Sequence, residues 1–138
     1  MKSSFYLFRL SVLLLLLFLS NNSFAQCGGG GTNSGNLVML PTFQTVNVNS
    51  GDRYTFDAYA QTTYVISFCQ GGGNNTVDTQ IEICDQNGNT VYAYNDDHCG
   101  LGSEVVWLCP SNGTYSFVIH EYNCNDYGTP AGTIADKT

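Results

Sequence analysis

Two adjacent carboxylates, Asp96 and Asp97, stand in a loop that runs Asn95-Asp96-Asp97-His98-Cys99-Gly100, and Asp78 and Asp85 bracket the apolar run before it. Calcium gathers about six to eight oxygens from carboxylates and loop carbonyls. A Gly-rich turn beside the acids lets the backbone fold back far enough to add its own carbonyls. Asp78, Asp96 and Asp97 are therefore the candidate calcium ligands, with Asn95 and Asp85 as further oxygen donors. The competing reading needs no ion: Asp and Asn side chains also bond nearby loop amides and end strands.

Other chemistry finds less support. His98 sits between Asp97 and Cys99 and His120 stands alone in a strand-like run, so neither belongs to a recognisable ligand pair. There is no C-x-x-C, and the cysteine spacings lack the short steps of zinc modules, so no zinc is expected. Ser103 follows Gly102 but is trailed by Glu104, which is not a nucleophile elbow. Two carboxylates at the right separation hydrolyse glycosides, yet a short chain without helices is a poor scaffold for that, and no enzyme is expected. Tyrosines are the remaining lead. Tyr59, Tyr92 and Tyr94, with Tyr122 and Tyr127, are candidates for an aromatic surface that takes sugar rings or an extended peptide; the alternative is that they fill the core.

The elements that must position these groups are short strands. Gln80–Cys84, Thr90–Tyr94, Glu104–Leu108 and Thr114–Tyr122 are separated by connectors rich in Asn, Asp, Gly and Pro. Upstream, Val46–Val48, Arg53–Tyr59 and Thr63–Cys69 read the same way, and a weak last strand lies near Gly132–Ile134. Alternation puts Tyr54, Phe56 and Ala58 on one face, Ile81 and Ile83 on one face, and Tyr115, Phe117 and Ile119 on one face. No apolar pattern of helical period persists. The pattern predicts an all-β antiparallel sandwich or jelly roll.

Met1–Ala25 reads as a signal peptide: Lys2 and Arg9 precede the apolar run Leu10–Leu19, and Ser23-Phe24-Ala25 ends in small residues. The run is too short for a spanning helix, which needs roughly 20 residues. Lipidation of Cys27 is the alternative, disfavoured by Gln26 before it. Of the 138 residues, 113 then remain, enough for one domain. Residues 26–50 read as a Gly-rich leader plus a first strand, and residues 51–138 as the sandwich. Without the signal the chain keeps only Arg53 and Lys137 against eleven acids, a formal charge of −9. That charge excludes nucleic acid as a partner and disfavours anionic membranes.

All six cysteines, Cys27, Cys69, Cys84, Cys99, Cys109 and Cys124, follow the signal. An even set in an exported chain reads as three disulfides. Cys69–Cys99 is the preferred pair, because each ends a strand-like run and opens a Gly-rich loop.

Asp78-Thr79, the strand Ile81-Glu82-Ile83, Asn87-Gly88, Asn95-Asp96-Asp97, Cys99-Gly100, Ser103 and Gly113-Thr114-Tyr115 together resemble the bacterial pre-peptidase C-terminal domain. The resemblance runs from about Gly51 to Tyr122. It implies a jelly-roll-like sandwich, appended in other proteins to exported peptidases and not itself catalytic. The expectation is a secreted accessory or binding module that recognises an extracellular protein or polysaccharide. A structural or adhesive component of the cell surface is the alternative, and a small secreted hydrolase the third reading. Two departures from the family's usual setting are expected: a copy without an accompanying catalytic domain, and three disulfides, more than such domains generally carry.

Overall fold

A computed structural model describes residues 27–138, so the expected signal peptide lies outside the described residues. Ten strands follow in order: β1 Thr32–Leu37, β2 Gln44–Asn49, β3 Asp52–Ala58, β4 Thr63–Ser67, β5 Asn74–Asn75, β6 Thr79–Asp85, β7 Val91–Asn95, β8 Glu104–Leu108, β9 Gly113–Glu121 and β10 Pro130–Lys137. A single 3-10 turn, Tyr122–Cys124, separates the last two. The strands form two five-stranded sheets. One has the order β1-β3-β9-β6-β7; the other runs β2-β10-β4-β8, with β5 added beside β10. This is the β-sandwich that the alternation calls for.

The inner faces are those the sequence marks. Tyr54 lies opposite Phe117, and Phe56 opposite Tyr115, in the β3–β9 ladder. Ile81 lies opposite Ile119, and Ile83 opposite Phe117, in the β6–β9 ladder. The second sheet contributes Val48, Tyr64, Ile66, Val105, Trp107 and Ile134. At one end Trp107 meets Tyr115 edge-on at 4.8 Å between ring centroids, and Phe56 packs on Tyr64 at 5.4 Å. Offset and edge contacts of this kind add to the area that the rings bury.

Two features depart from the expectation. The stretch after the glycines is not a flexible leader, because Thr32–Leu37 is an edge strand that pairs in parallel with β3. Its polar sequence conceals it, since only the β3 side of an edge strand has to be satisfied. The segment expected as a weak last strand is instead the eight-residue β10, flanked by β2 on one side and β4 and β5 on the other. Gly132 allows β5 so close: its φ is +133°, and a Cβ there would collide with the Asn74 carbonyl. The outer face of β6 and β9 is buried as well. Gln80, Glu82, Cys84, Ser116, Val118 and His120 are all buried.

Candidate functional site

Asp78 lies immediately before β6, and Asp96 and Asp97 immediately after β7, at the same end of the sheet. Antiparallel pairing of β6 and β7 brings them together, and the three carboxylates offer oxygens within 4.8 Å of one another. Ser103 fixes the loop: its Oγ lies against the carbonyl oxygens of Thr79 and Asp96, and its amide donates to Thr79 Oγ1 at 3.1 Å. The Cys69–Cys99 disulfide staples the following turn to the second sheet. His98 stands 3.6 Å from Glu104. A shallow recess lined by Tyr94, Asn95, Asp96 and Asp97 opens beside the cluster.

The electrostatics of this tip are those of acids held together. Burial, and then the charge of Asp97, raise the Asp78 carboxyl. Burial, then Asp97 and Asp78, raise Asp96. Asp78 Oδ1 and Asp96 Oδ1 are both shielded from solvent and accept no hydrogen bond. Buried acceptors are nearly always satisfied in folded proteins. Two orphaned oxygens in a cluster of three carboxylates are the donor set that a hard divalent cation fits.

The other expected donors have different places. Asn95 Oδ1 accepts the Glu104 amide at 3.2 Å and so belongs to the loop's own bonding. Asp85 ends β6 at the far end from Asp78, seven strand steps or roughly 23 Å away. There it caps the β6–β7 hairpin, accepting from the Asn87 and Asn89 amides at 3.0 and 2.9 Å. Hydrogen bonds led by the Asn89 amide hold its carboxyl below the ordinary range.

The tyrosines do not form one surface. Tyr59 is 66% exposed at the β3–β4 turn. Tyr92 is half exposed and packs edge-on against Tyr115 at 5.6 Å, with Trp107 beyond. Tyr94 pairs with Glu82 across the β6–β7 ladder and borders the acidic recess. A bulge opposite Ile83 and Cys84 separates the last two. It inserts one residue in β7 and turns Tyr92 away from the face of Tyr94.

The cysteines form two bridges, Cys27–Cys124 and Cys69–Cys99, in place of the expected three. Cys84 and Cys109 are buried free thiols. Cys84 lies on the outer face of the first sheet and Cys109 just past β8 in the second, so the core stands between them. Burial, with Glu82 and Asp85 nearby, pushes the Cys84 thiol up to about 12, which keeps it protonated and unreactive.

A second constellation escaped the sequence. On the buried outer face, Glu82 accepts the backbone amides of Cys27 at 2.7 Å, Gly28 at 3.1 Å and Gly29 at 2.5 Å. His120 Nδ1 lies 2.5 Å from Asp126 Oδ2, while its Nε2 stands 3.5 Å from Glu82 Oε2. The glycine strap, held by Cys27–Cys124, lies over this acid–imidazole–acid row. Gly29 has φ +75°, and a Cβ there would run into the Gly88 carbonyl. Arg53 closes the arrangement by donating to the carbonyls of Gly30 and Asn87. The only trace in the sequence is polar residues on the outer face of two strands, which normally means solvent.

No family model and no curated protein matches this sequence. Among solved structures, the chain is similar to the pre-peptidase C-terminal domain of collagenase from Bacillus anthracis, at 18% identity and a TM-score of 0.49. The match covers 78% of this chain and 94% of that one. Among the described residues, no helix is long and apolar enough to cross a membrane.

Proposed function

We propose that this protein is a secreted, non-catalytic accessory or binding module whose acidic tip is ordered by calcium and presented to an extracellular protein or polysaccharide. The observation that carries the reading is the pair of orphaned oxygens, Asp78 Oδ1 and Asp96 Oδ1, in a cluster completed by Asp97. Calcium would satisfy both and neutralise three crowded charges. Loop carbonyls and water would supply its other oxygens. The Tyr94 recess beside the cluster supports a contact surface there, and Tyr59 and Tyr92 are further candidate contacts. Two disulfides support an oxidising compartment outside the cytoplasm. The motif order from Asp78-Thr79 to Gly113-Thr114-Tyr115 supports the pre-peptidase type of module.

Calcium titration with thermal melting tests the metal. For a dissociation constant near 0.1 mM, 10 mM calcium stabilises by about 2.7 kcal/mol, and Asp96→Asn with Asp97→Asn abolishes the gain. An unchanged melting temperature at millimolar calcium overturns the metal reading. A glycan array and a collagen pull-down, each with and without calcium, test the partner. Exposed Val106 and Leu108 on the edge strand β8 favour a second reading, a self-associating surface component. Concentration-dependent association without a soluble ligand would support it.

A further inference from the structure

We infer that the buried cluster beneath the glycine strap is a latent zinc site, closed in the disulfide form and completed when Cys27–Cys124 is reduced. Its ligands are the Cys27 and Cys124 thiolates, His120 Nε2 and a Glu82 carboxylate oxygen.

The donors are already gathered. Cys27 Sγ, a Glu82 oxygen and a His120 ring nitrogen lie within 4.8 Å of one another, and Cys124 is bonded to Cys27. In a tetrahedron with Zn–N and Zn–S bonds of about 2.0–2.3 Å, ligand atoms stand roughly 3.3–3.8 Å apart. Cys27 Sγ, Glu82 and His120 therefore close by up to about 1.5 Å, and the two sulfurs, 2.11 Å apart in the bridge, separate to about 3.8 Å once it is cut. His120 is 1% exposed, and its Nε2 is shielded from solvent with no hydrogen-bond partner. That nitrogen points at Glu82, 3.5 Å away. Its other nitrogen is held by Asp126 at 2.5 Å. A carboxylate on the far nitrogen is the arrangement that orients metal-bound imidazoles and fixes their tautomer. In sequence His120 and Cys124 are four residues apart, a short ligand step. The 3-10 turn after β9 brings Cys124 back to the bridge with Cys27.

The chemistry balances with a thiol reductant. Two equivalents of thiol cleave the Cys27–Cys124 bond; each sulfur gains one electron and one proton, and the reductant leaves as its own disulfide. Zinc(II) then takes both sulfurs as thiolates. Two thiol protons go to solvent, with a third from Nε2 when the imidazole is charged. The metal keeps its oxidation state. Cutting the bridge also frees the strap, which opens the way in. Glu82 exchanges the Gly29 amide for the metal at one oxygen. The disulfide and zinc are thus alternative cross-links between the glycine strap and the turn after β9.

Cobalt(II) reports on the site because tetrahedral thiolate ligation gives sulfur-to-metal charge-transfer and intense d–d bands. Mature protein, oxidised or reduced under argon, is titrated with cobalt and then with zinc. The expected result is one cobalt per chain with two-thiolate bands in the reduced protein only, displaced by zinc. Cys27→Ser and Cys124→Ser lose these bands, and His120→Gln loses or shifts them. Asp126→Asn, which acts through His120, weakens zinc about 10–100-fold while leaving the thiolate bands in place. A Cys69→Ala/Cys99→Ala variant keeps them, since that pair lies outside the site. Circular dichroism confirms that each variant is folded; Cys27→Ser keeps the discriminating comparison available if His120→Gln is not. Absence of bands in reduced wild type, their survival in Cys27→Ser, or unfolding of the wild type on reduction each overturns the inference.

Discussion

Replacing Glu82 should cost more stability than replacing any other acid in the molecule. Its carboxylate is fully buried, accepts three strap amides and faces His120. Glu82→Ala strips partners from the Cys27, Gly28 and Gly29 amides and leaves the imidazole beside an uncompensated gap. Removing one member of a buried charge pair costs about 3–5 kcal/mol, and each orphaned donor about 1–3 kcal/mol when water cannot replace the partner. Gly28 is exposed, so water recovers part of the amide term, and a total near 4 kcal/mol is expected. For a domain of this size that lowers the melting temperature by about 15–30 °C. Glu82→Gln keeps one acceptor oxygen but turns an NH2 toward the strap amides, and should cost about half as much. Denaturant unfolding of the oxidised protein gives the free energies, and hydrogen exchange reads the strap. Amides of Gly28 and Gly29 should lose protection in both variants while the core of β9 keeps its own. A Glu82→Ala loss below about 1 kcal/mol, or unchanged strap protection, would refute the claim that the carboxylate holds the strap.

The same row sets a pH dependence. Burial opposes the charge on Glu82, but the facing His120 imidazole and the Gly29 and Gly28 amides outweigh it and the pKa falls below 4.5. Its contribution is present above that value and lost as pH drops through the folded pKa. Burial likewise opposes the charge on His120, but Glu82 and Asp126 outweigh it and the pKa rises above 6.5. That contribution is full below 6.5 and lost as pH rises through the folded value. Strap protection in the oxidised protein should therefore peak in mildly acid solution, and a flat exchange profile from pH 4 to pH 9 would count against the pairing. Asp136 behaves in the opposite sense to Glu82. It is buried with, among the described residues, only the Gln44 amide as a side-chain partner at 2.8 Å, and burial raises its pKa. Its ionisation destabilises the fold as pH rises, so Asp136→Asn should raise the melting temperature at pH 7 and change it little near pH 3. Equal effects at both would show that the charge is not what matters there.

The scaffold is largely written in side-chain alternation. Tyr54/Phe56, Ile81/Ile83 and Tyr115/Phe117/Ile119 can face only one way, and their pairing across β3, β9 and β6 follows. The acidic tip is legible for the same reason, since two antiparallel strands must bring the residue before one beside the residue after the other. The same strand order sets Asp85 apart from the tip, since it closes the run that Asp78 opens and caps the hairpin at the other end. The bridges are legible only in part. A cysteine count cannot tell Cys84, on an outward face, from a partner across the core. The polar outer face of β6 and β9 misleads most, since Gln80, Glu82, Ser116 and His120 read as solvated until the strap covers them. Four glycines in a row signify flexibility on their own; here they are what lets backbone amides reach a buried carboxylate.

That strap places the two bridges in different roles. Cys69–Cys99 closes a loop of 30 residues beside the acidic tip and holds the turn after β7 to the second sheet. Cys27–Cys124 spans 97 residues and joins the glycine strap to the turn after β9 over a charged row. In the chain-entropy view the longer loop contributes the larger stabilisation, about 4.7 against about 3.5 kcal/mol. A stabiliser of that size could sit over an apolar face, where nothing has to be paired. Here it sits over a face whose imidazole keeps one nitrogen unbonded and whose carboxylate is satisfied only while the strap stays down. Opening the bridge therefore does more than lengthen the unfolded chain's freedom: it uncovers two sulfurs, an imidazole nitrogen and a carboxylate in one place. The tip and the strap are thus separable: three carboxylates gather at one, and a disulfide over an acid–imidazole–acid row closes the other. Reduction under conditions that leave Cys69–Cys99 intact should alter the strap and leave calcium binding at the tip unchanged.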